Sequence, residues 1–129
     1  MKTILFVCVE NSCRSQMAEA FGHMLGQGVL DVYSSGSAPS GQVNPKAISS
    51  LAELDYDLSR HVSKPLSDIP QIEYAMAITL GCGDECPNVR ATHREDWKIP
   101  DPKHLDSRAF NQVRDLIRDR VADLLVRLA

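Results

Sequence analysis

The feature that most limits what this chain can fold into lies in its first twenty-five residues. Thr3 to Val7 is a continuous apolar run, Cys8-Val9-Glu10-Asn11-Ser12-Cys13-Arg14-Ser15 follows, and a helical pattern runs from Gln16 to Leu25. Such a run predicts a strand from Lys2 to Cys8 that is covered on both faces. Strand, tight loop and helix in immediate succession aim the loop's peptide N–H groups and the helix's unpaired N–H groups at one point, which favours an anion. Arg14 can set two parallel hydrogen bonds on a tetrahedral oxyanion. Cys8 lies at the bottom of the bowl, where a helix N-terminus and an arginine stabilise a thiolate. A nucleophile beneath an oxyanion cradle points to attack on phosphate or a similar anion. A cysteine ending a strand is by itself an ordinary core residue, and Ser15 by itself an ordinary helix cap. Placement between strand and helix argues for a functional loop, with Ser15 donating to the sulfur.

The rest of the chain reads as a small α/β domain. Met17, Ala20, Phe21 and Met24 mark one face of the first helix, which Gly26-Gln27-Gly28 ends. Leu30 to Tyr33 predicts a second strand and Ser34 to Gln42 a loop. Asn44-Pro45 reads as cap and first residue of a helix to about Leu54, with Ile48 and Leu51 inward. Tyr56 to Leu66 is irregular. Tyr74 to Leu80 predicts a buried strand, followed by a long loop from Gly81 to Arg94. A short fourth strand carrying Trp97 is expected within Glu95 to Ile99. Phe110, Val113, Ile117, Val121, Leu124 and Leu128 recur at helical steps from Asp106 to the C-terminus. Arg114, Arg118, Arg120 and Arg127 are expected on its solvated face. His23, His61, His93 and His104 are read as unclustered surface or packing residues.

This pattern predicts one domain, residues 1–129, built as a doubly wound parallel sheet with helices on both faces. Its crevice should lie at the carboxyl ends of the strands, where Cys8, Ser34 and Leu80 fall. A net charge of −3 gives no nucleic-acid footprint, and no apolar run approaches membrane-spanning length. The first residues, MKTILFVCVEN, turn polar at once without a small-residue cleavage pattern, so a cytoplasmic protein is expected. An apolar content of 43% supports a normal core that needs no disulfide staples, which leaves the four cysteines for chemistry or metal.

Two more groups carry chemistry. Cys82 and Cys86 stand four apart in Gly81-Cys82-Gly83-Asp84-Glu85-Cys86-Pro87, after the third strand. They read as two loop thiols, as part of a zinc site short of ligands, or as a redox pair resolving an intermediate on Cys8. The last is favoured because the strand delivers the loop beside the cradle. Asp101-Pro102 is a common turn dipeptide, but an aspartate held between prolines can protonate a leaving oxygen. Cys13 is expected to point into packing and takes no catalytic role.

The run CVENSCRSQMAEAF, with GCGDECP and Asp101-Pro102, resembles the thiol-dependent arsenate reductases built on the low-molecular-weight tyrosine phosphatase scaffold. Cys-x5-Arg-Ser fits both branches of that scaffold, and the continuation Gln16-Met17-Ala18-Glu19-Ala20 is similar to the reductase branch. The resemblance implies strand order 2-1-3-4 and arsenate reduction. Cys8 attacks arsenic, Arg14 and the loop from Val9 to Ser15 hold the oxyanion, and Asp101 is the acid. A disulfide cascade then passes through Cys82 and Cys86, with the order of their attack left open. No bound cofactor and no metal are expected. Thioredoxin, glutaredoxin or a low-molecular-weight thiol would supply the electrons, to a monomer. Some members hold potassium at positions matching Asn11, Glu19 and Ser34, but Lys64 stands where an aspartate is expected. Its ammonium could replace the cation, leaving Asn11 and Ser34 to brace the loop. The alternative is a phosphatase, which leaves Cys82 and Cys86 unexplained and lacks an aromatic residue after Asp101-Pro102. A third reading is a non-enzymatic oxyanion or redox sensor.

Overall fold

The computed structural model describes residues 1–81 and 89–128. Four parallel strands, β1 (Lys2–Cys8), β2 (Leu30–Gly36), β3 (Tyr74–Thr79) and β4 (Ala91–Asp96), form one sheet in the order β2-β1-β3-β4. Helix α1 (Arg14–Leu25) links β1 to β2, α2 (Pro45–Ala52) lies between β2 and β3, and α3 (Ser107–Leu128) closes the described chain. The expected strand order and α/β class hold. Central β1 is the reference line of the sheet: Cys8 pairs with Gly36 of β2, and Val7 with Thr79 of β3. Three strand ends therefore stop at one level, with Cys8 at the rim.

Alternation along β1 divides the core. Ile4, Phe6 and Cys8 join the residues of all three α-helices in the larger cluster, including Met17, Phe21, Leu51, Phe110 and Ile117. Leu5 and Val7 face the other way, against Ile69 and Tyr74. The cover is thus uneven, with the α-helices on one face and the 3-10 turn Leu66–Asp68 beside the smaller cluster. Asn44 caps α2 by accepting from the Lys46 N–H at 2.8 Å, with Pro45 as first residue.

The structure corrects several boundaries. β2 runs on through Ser34, Ser35 and Gly36, which pair with Phe6, Val7 and Cys8. Polar residues hid this part of the strand, although both serines are buried. β4 begins at Ala91, inside the expected long loop, and ends before Trp97. Its Thr-His-Arg-Glu-Asp sequence is that of a solvated edge strand and carries no apolar signal. Trp97 is nonetheless buried, its ring 5.7 Å from that of Phe6. Met24 is exposed, whereas α1 is buried continuously from Ser15 to Gly22. Arg114 is also buried, not solvated. It donates to the Ser50 carbonyl at 3.0 Å and pairs with Glu53 and Asp115, tying α3 to α2. Among the described residues no helix is long and apolar enough to cross a membrane.

Candidate active site

The cradle is the turn between β1 and α1. Asn11 takes φ +51°, and such a left-handed residue within a tight turn curls successive N–H groups toward one point. Helix α1 starts at Arg14, and its N-cap, Cys13, makes no side-chain capping bond. In contrast to α2, its first N–H groups are left for an anion. Gly36 is required beside the turn, because a Cβ there would lie 2.6 Å from the Val9 carbonyl oxygen.

Buried side chains fix the turn from below. Asn11 Nδ2 donates to Ser15 Oγ at 2.7 Å and to Ser34 Oγ at 3.1 Å. Its Oδ1 accepts from Gln16 Nε2 at 2.9 Å and from the Lys64 N–H at 3.0 Å. Ser15 Oγ lies 2.9 Å from Cys8 Sγ. Since Ser15 already accepts from Asn11, its own proton is free to point at the sulfur. Ser34 in turn donates to Glu19 Oε1 at 2.6 Å. Hydrogen bonds therefore run outward from Asn11 in two directions, through Ser34 to the Glu19 carboxylate and through Ser15 to Cys8. Ser12 is also buried, and Val9 accepts the Ala38 N–H. Cys13 packs in the core, where burial pushes its thiol up to about 11 and keeps it protonated at neutral pH.

Above the cradle, Arg14 donates to the Ile99 carbonyl at 3.0 Å and reaches within 3.9 Å of the half-exposed Asp101 carboxylate. Asp101 Oδ1 accepts the Lys103 N–H at 3.1 Å, and Lys103 Nζ reaches both carboxylate oxygens of Glu10 at 3.1 and 3.2 Å. The Asp101 loop is thus tied to the cradle loop twice, through Arg14 and through Lys103. No local pattern announces the Glu10–Lys103 pair, because its members lie far apart in sequence. Cys82 and Cys86 lie outside the described residues. Gly81, immediately before Cys82, touches the site: a Cβ there would lie 2.5 Å from Arg14 Nη1, and its φ of +81° suits glycine.

Around Glu19 the structure departs from the expectation that the histidines are scattered. His23 Nε2 and His61 Nδ1 each lie 3.3 Å from Glu19 Oε2. Burial pushes the Glu19 carboxyl up, but hydrogen bonds from His23 and Ser34 and the charge of Lys64 outweigh it, so its pKa falls below the usual range. Burial lowers the His61 pKa and favours neutral imidazole. Lys64 Nζ sits 3.6 Å from Glu19 Oε1. A potassium ion on Asn11, Glu19 and Ser34 would meet this ammonium, so these residues do not fit one.

The sequence pattern of the low molecular weight phosphotyrosine protein phosphatases matches residues 3–129. The chain is 38% identical over 132 residues to the glutaredoxin arsenate reductase of Synechocystis sp., covering 100% of both. It is 40% identical over 124 residues to an arsenate reductase of Staphylococcus aureus, covering 91% of each. A solved structure of an arsenate reductase in the phosphate-binding state superposes with a TM-score of 0.90 at 38% identity, covering 100% of both chains. By its match from the first strand to the last helix, the chain belongs to the low molecular weight phosphotyrosine protein phosphatase family.

Proposed function

We propose that the chain is an arsenate reductase that uses Cys8 as nucleophile and the Cys82–Cys86 loop to carry away two electrons. The observation that carries this reading is the contact of Gly81 with Arg14, which starts the loop bearing Cys82 at the rim of the cradle. Its similarity to arsenate reductases over their whole length supports the same reaction.

Arsenate docks against the N–H groups of the turn and the Arg14 guanidinium. The Cys8 thiolate, steadied by Ser15, forms a sulfur–arsenic bond while Asp101 protonates the departing oxygen, which leaves as water. Cys82 thiolate then attacks Cys8 sulfur. A Cys8–Cys82 disulfide forms, the electron pair of the sulfur–arsenic bond passes to arsenic, and arsenite leaves. Cys86 attacks Cys82, frees Cys8 as thiolate and leaves Cys82–Cys86 for an external thiol to reduce. A glutaredoxin is the donor favoured by the name of the Synechocystis relative.

The test is mass-spectrometric mapping of disulfides after a single arsenate turnover. Wild type should yield Cys82–Cys86, Cys86→Ser should stop at Cys8–Cys82, and Cys82→Ser should form neither bond. Sustained turnover by Cys82→Ser with glutaredoxin, thioredoxin or a small thiol would remove Cys82 from the pathway. Hydrolysis of aryl phosphate faster than arsenate-dependent thiol oxidation would instead assign the cradle to a phosphatase.

A further inference from the structure

We propose that Glu19, His23 and His61 form a binding site for one divalent transition-metal ion of zinc's size and ligand preference, on the far side of Glu19 from the cradle. Neutral imidazole nitrogens and a carboxylate oxygen are the donors that such ions select, and two histidines with one glutamate leave a fourth position open for water. In a tetrahedral site with bonds of about 2.0–2.1 Å, the ligand atoms stand about 3.3–3.4 Å apart. Glu19 Oε2 is 3.3 Å from His23 Nε2 and 3.3 Å from His61 Nδ1. All three ligand atoms lie within 4.8 Å of one another. Two edges of the required tetrahedron are therefore present before any ion arrives.

The surroundings suit the role. An open pocket of about 530 Å³, lined by Glu19, His23, Tyr56, His61 and Lys64 among others, gives entry. His23 and Glu19 are one helical turn apart on α1, so their spacing is held by the helix. His61 Nε2 lies 2.7 Å from the Tyr56 hydroxyl. Without an ion Nδ1 faces two acceptors, Glu19 Oε2 and Gln16 Oε1, and so carries the ring proton. An ion at the site moves that proton to Nε2, which then donates to Tyr56, the arrangement that orients metal-binding imidazoles. Binding then costs the Nδ1 contact with Gln16 Oε1, now 2.9 Å long. Division of labour on Glu19 separates this site from the cradle. Oε1 holds Ser34 and faces Lys64, whereas Oε2 faces the two histidines. The Lys64 ammonium opposes a dication and limits the affinity.

The experiment titrates the reduced full chain with Co2+ and follows its visible ligand-field bands, then displaces the ion with Zn2+. One Co2+ per chain is expected, with nitrogen- and oxygen-type bands and no near-ultraviolet thiolate charge-transfer band. His23→Ala, at an exposed position, should weaken binding by about tenfold or more, and so should Tyr56→Phe. Lys64→Gln should tighten it by about threefold or more. A thiolate band would place the ion on the cysteines and overturn the proposal. So would bands that survive His23→Ala, an affinity unmoved by Lys64→Gln, or no stoichiometric binding.

Discussion

At the scale of single residues, the site depends on which way a few protons point. Asn11 donates both its amide hydrogens, to Ser15 and Ser34, so neither serine can point its own proton back at Asn11. Ser34 must then give its proton to Glu19, and Ser15 is left to give its proton to Cys8. A hydroxyl donated to an anionic sulfur is charge-assisted and stronger than a neutral pair. Ser15→Ala removes that donor and leaves the buried Asn11 amide short of an acceptor. The first step on Cys8 should slow by about ten- to a hundredfold, the loss of about 1.5–3 kcal/mol. The rate of Cys8 alkylation by iodoacetamide across pH reports it directly, with Ser15→Thr as the conservative control. An unchanged alkylation profile in Ser15→Ala would make Ser15 a helix residue only. This part of the site was legible early, because Cys8, Arg14 and Ser15 are joined by local chain geometry. Gln16 was not, since its three acceptors include Val62, brought in only by the fold.

At the scale of elements, two ion pairs fasten loops and strands that the sequence leaves unconnected. Glu10 on the cradle loop and Lys103 on the Asp101 loop are both partly exposed, so solvent screens the pair and it adds little to stability. Its effect on substrate is larger in kind, because an unpaired Glu10 would repel an anion arriving at its own loop. Lys103→Ala should raise KM for arsenate about three- to tenfold with kcat changed less. Lys103→Arg, or Glu10→Gln added to Lys103→Ala, should restore it, and failure of both rescues would dismiss the electrostatic role. The second pair joins Arg127 of α3 to Glu95 of β4, the strand whose polar sequence concealed it. Hydrogen bonds from Arg127, with a further one from Trp97, hold the Glu95 carboxyl down at about 2. A depressed carboxyl contributes stability above its unfolded value, near 4.5, and loses it as pH falls toward about 2. Arg127→Ala should therefore cost up to about 1 kcal/mol at pH 7 and almost nothing near pH 2, with Arg127 itself half-exposed. Urea midpoints at the two pH values measure the difference, and an equal cost at both would assign it to packing.

At the scale of the whole molecule, β1 belongs to everything. From Ile4 onward its even residues enter the larger core, Leu5 and Val7 enter the smaller one, and its last residue is the nucleophile proposed above. The buried strands and most helix faces were readable because apolar periodicity records burial directly, whereas the sheet order rested on the family resemblance. The cluster on Glu19 and the approach of Gly81 to Arg14 were not, because they arise where segments distant in sequence meet. A core shared through one central strand should unfold as one unit spanning residues 1–129. Trp97, the lone tryptophan, packs on Phe6 of that strand and reports on the sheet, while far-ultraviolet circular dichroism reports on the helices. The two urea transitions should coincide. Ile117→Ala, a truncation at a fully buried site on α3, should cost about 2–5 kcal/mol and move both transitions together with an unchanged slope. Transitions that separate in the variant would show α3 detaching from the sheet on its own and would end the single-unit account.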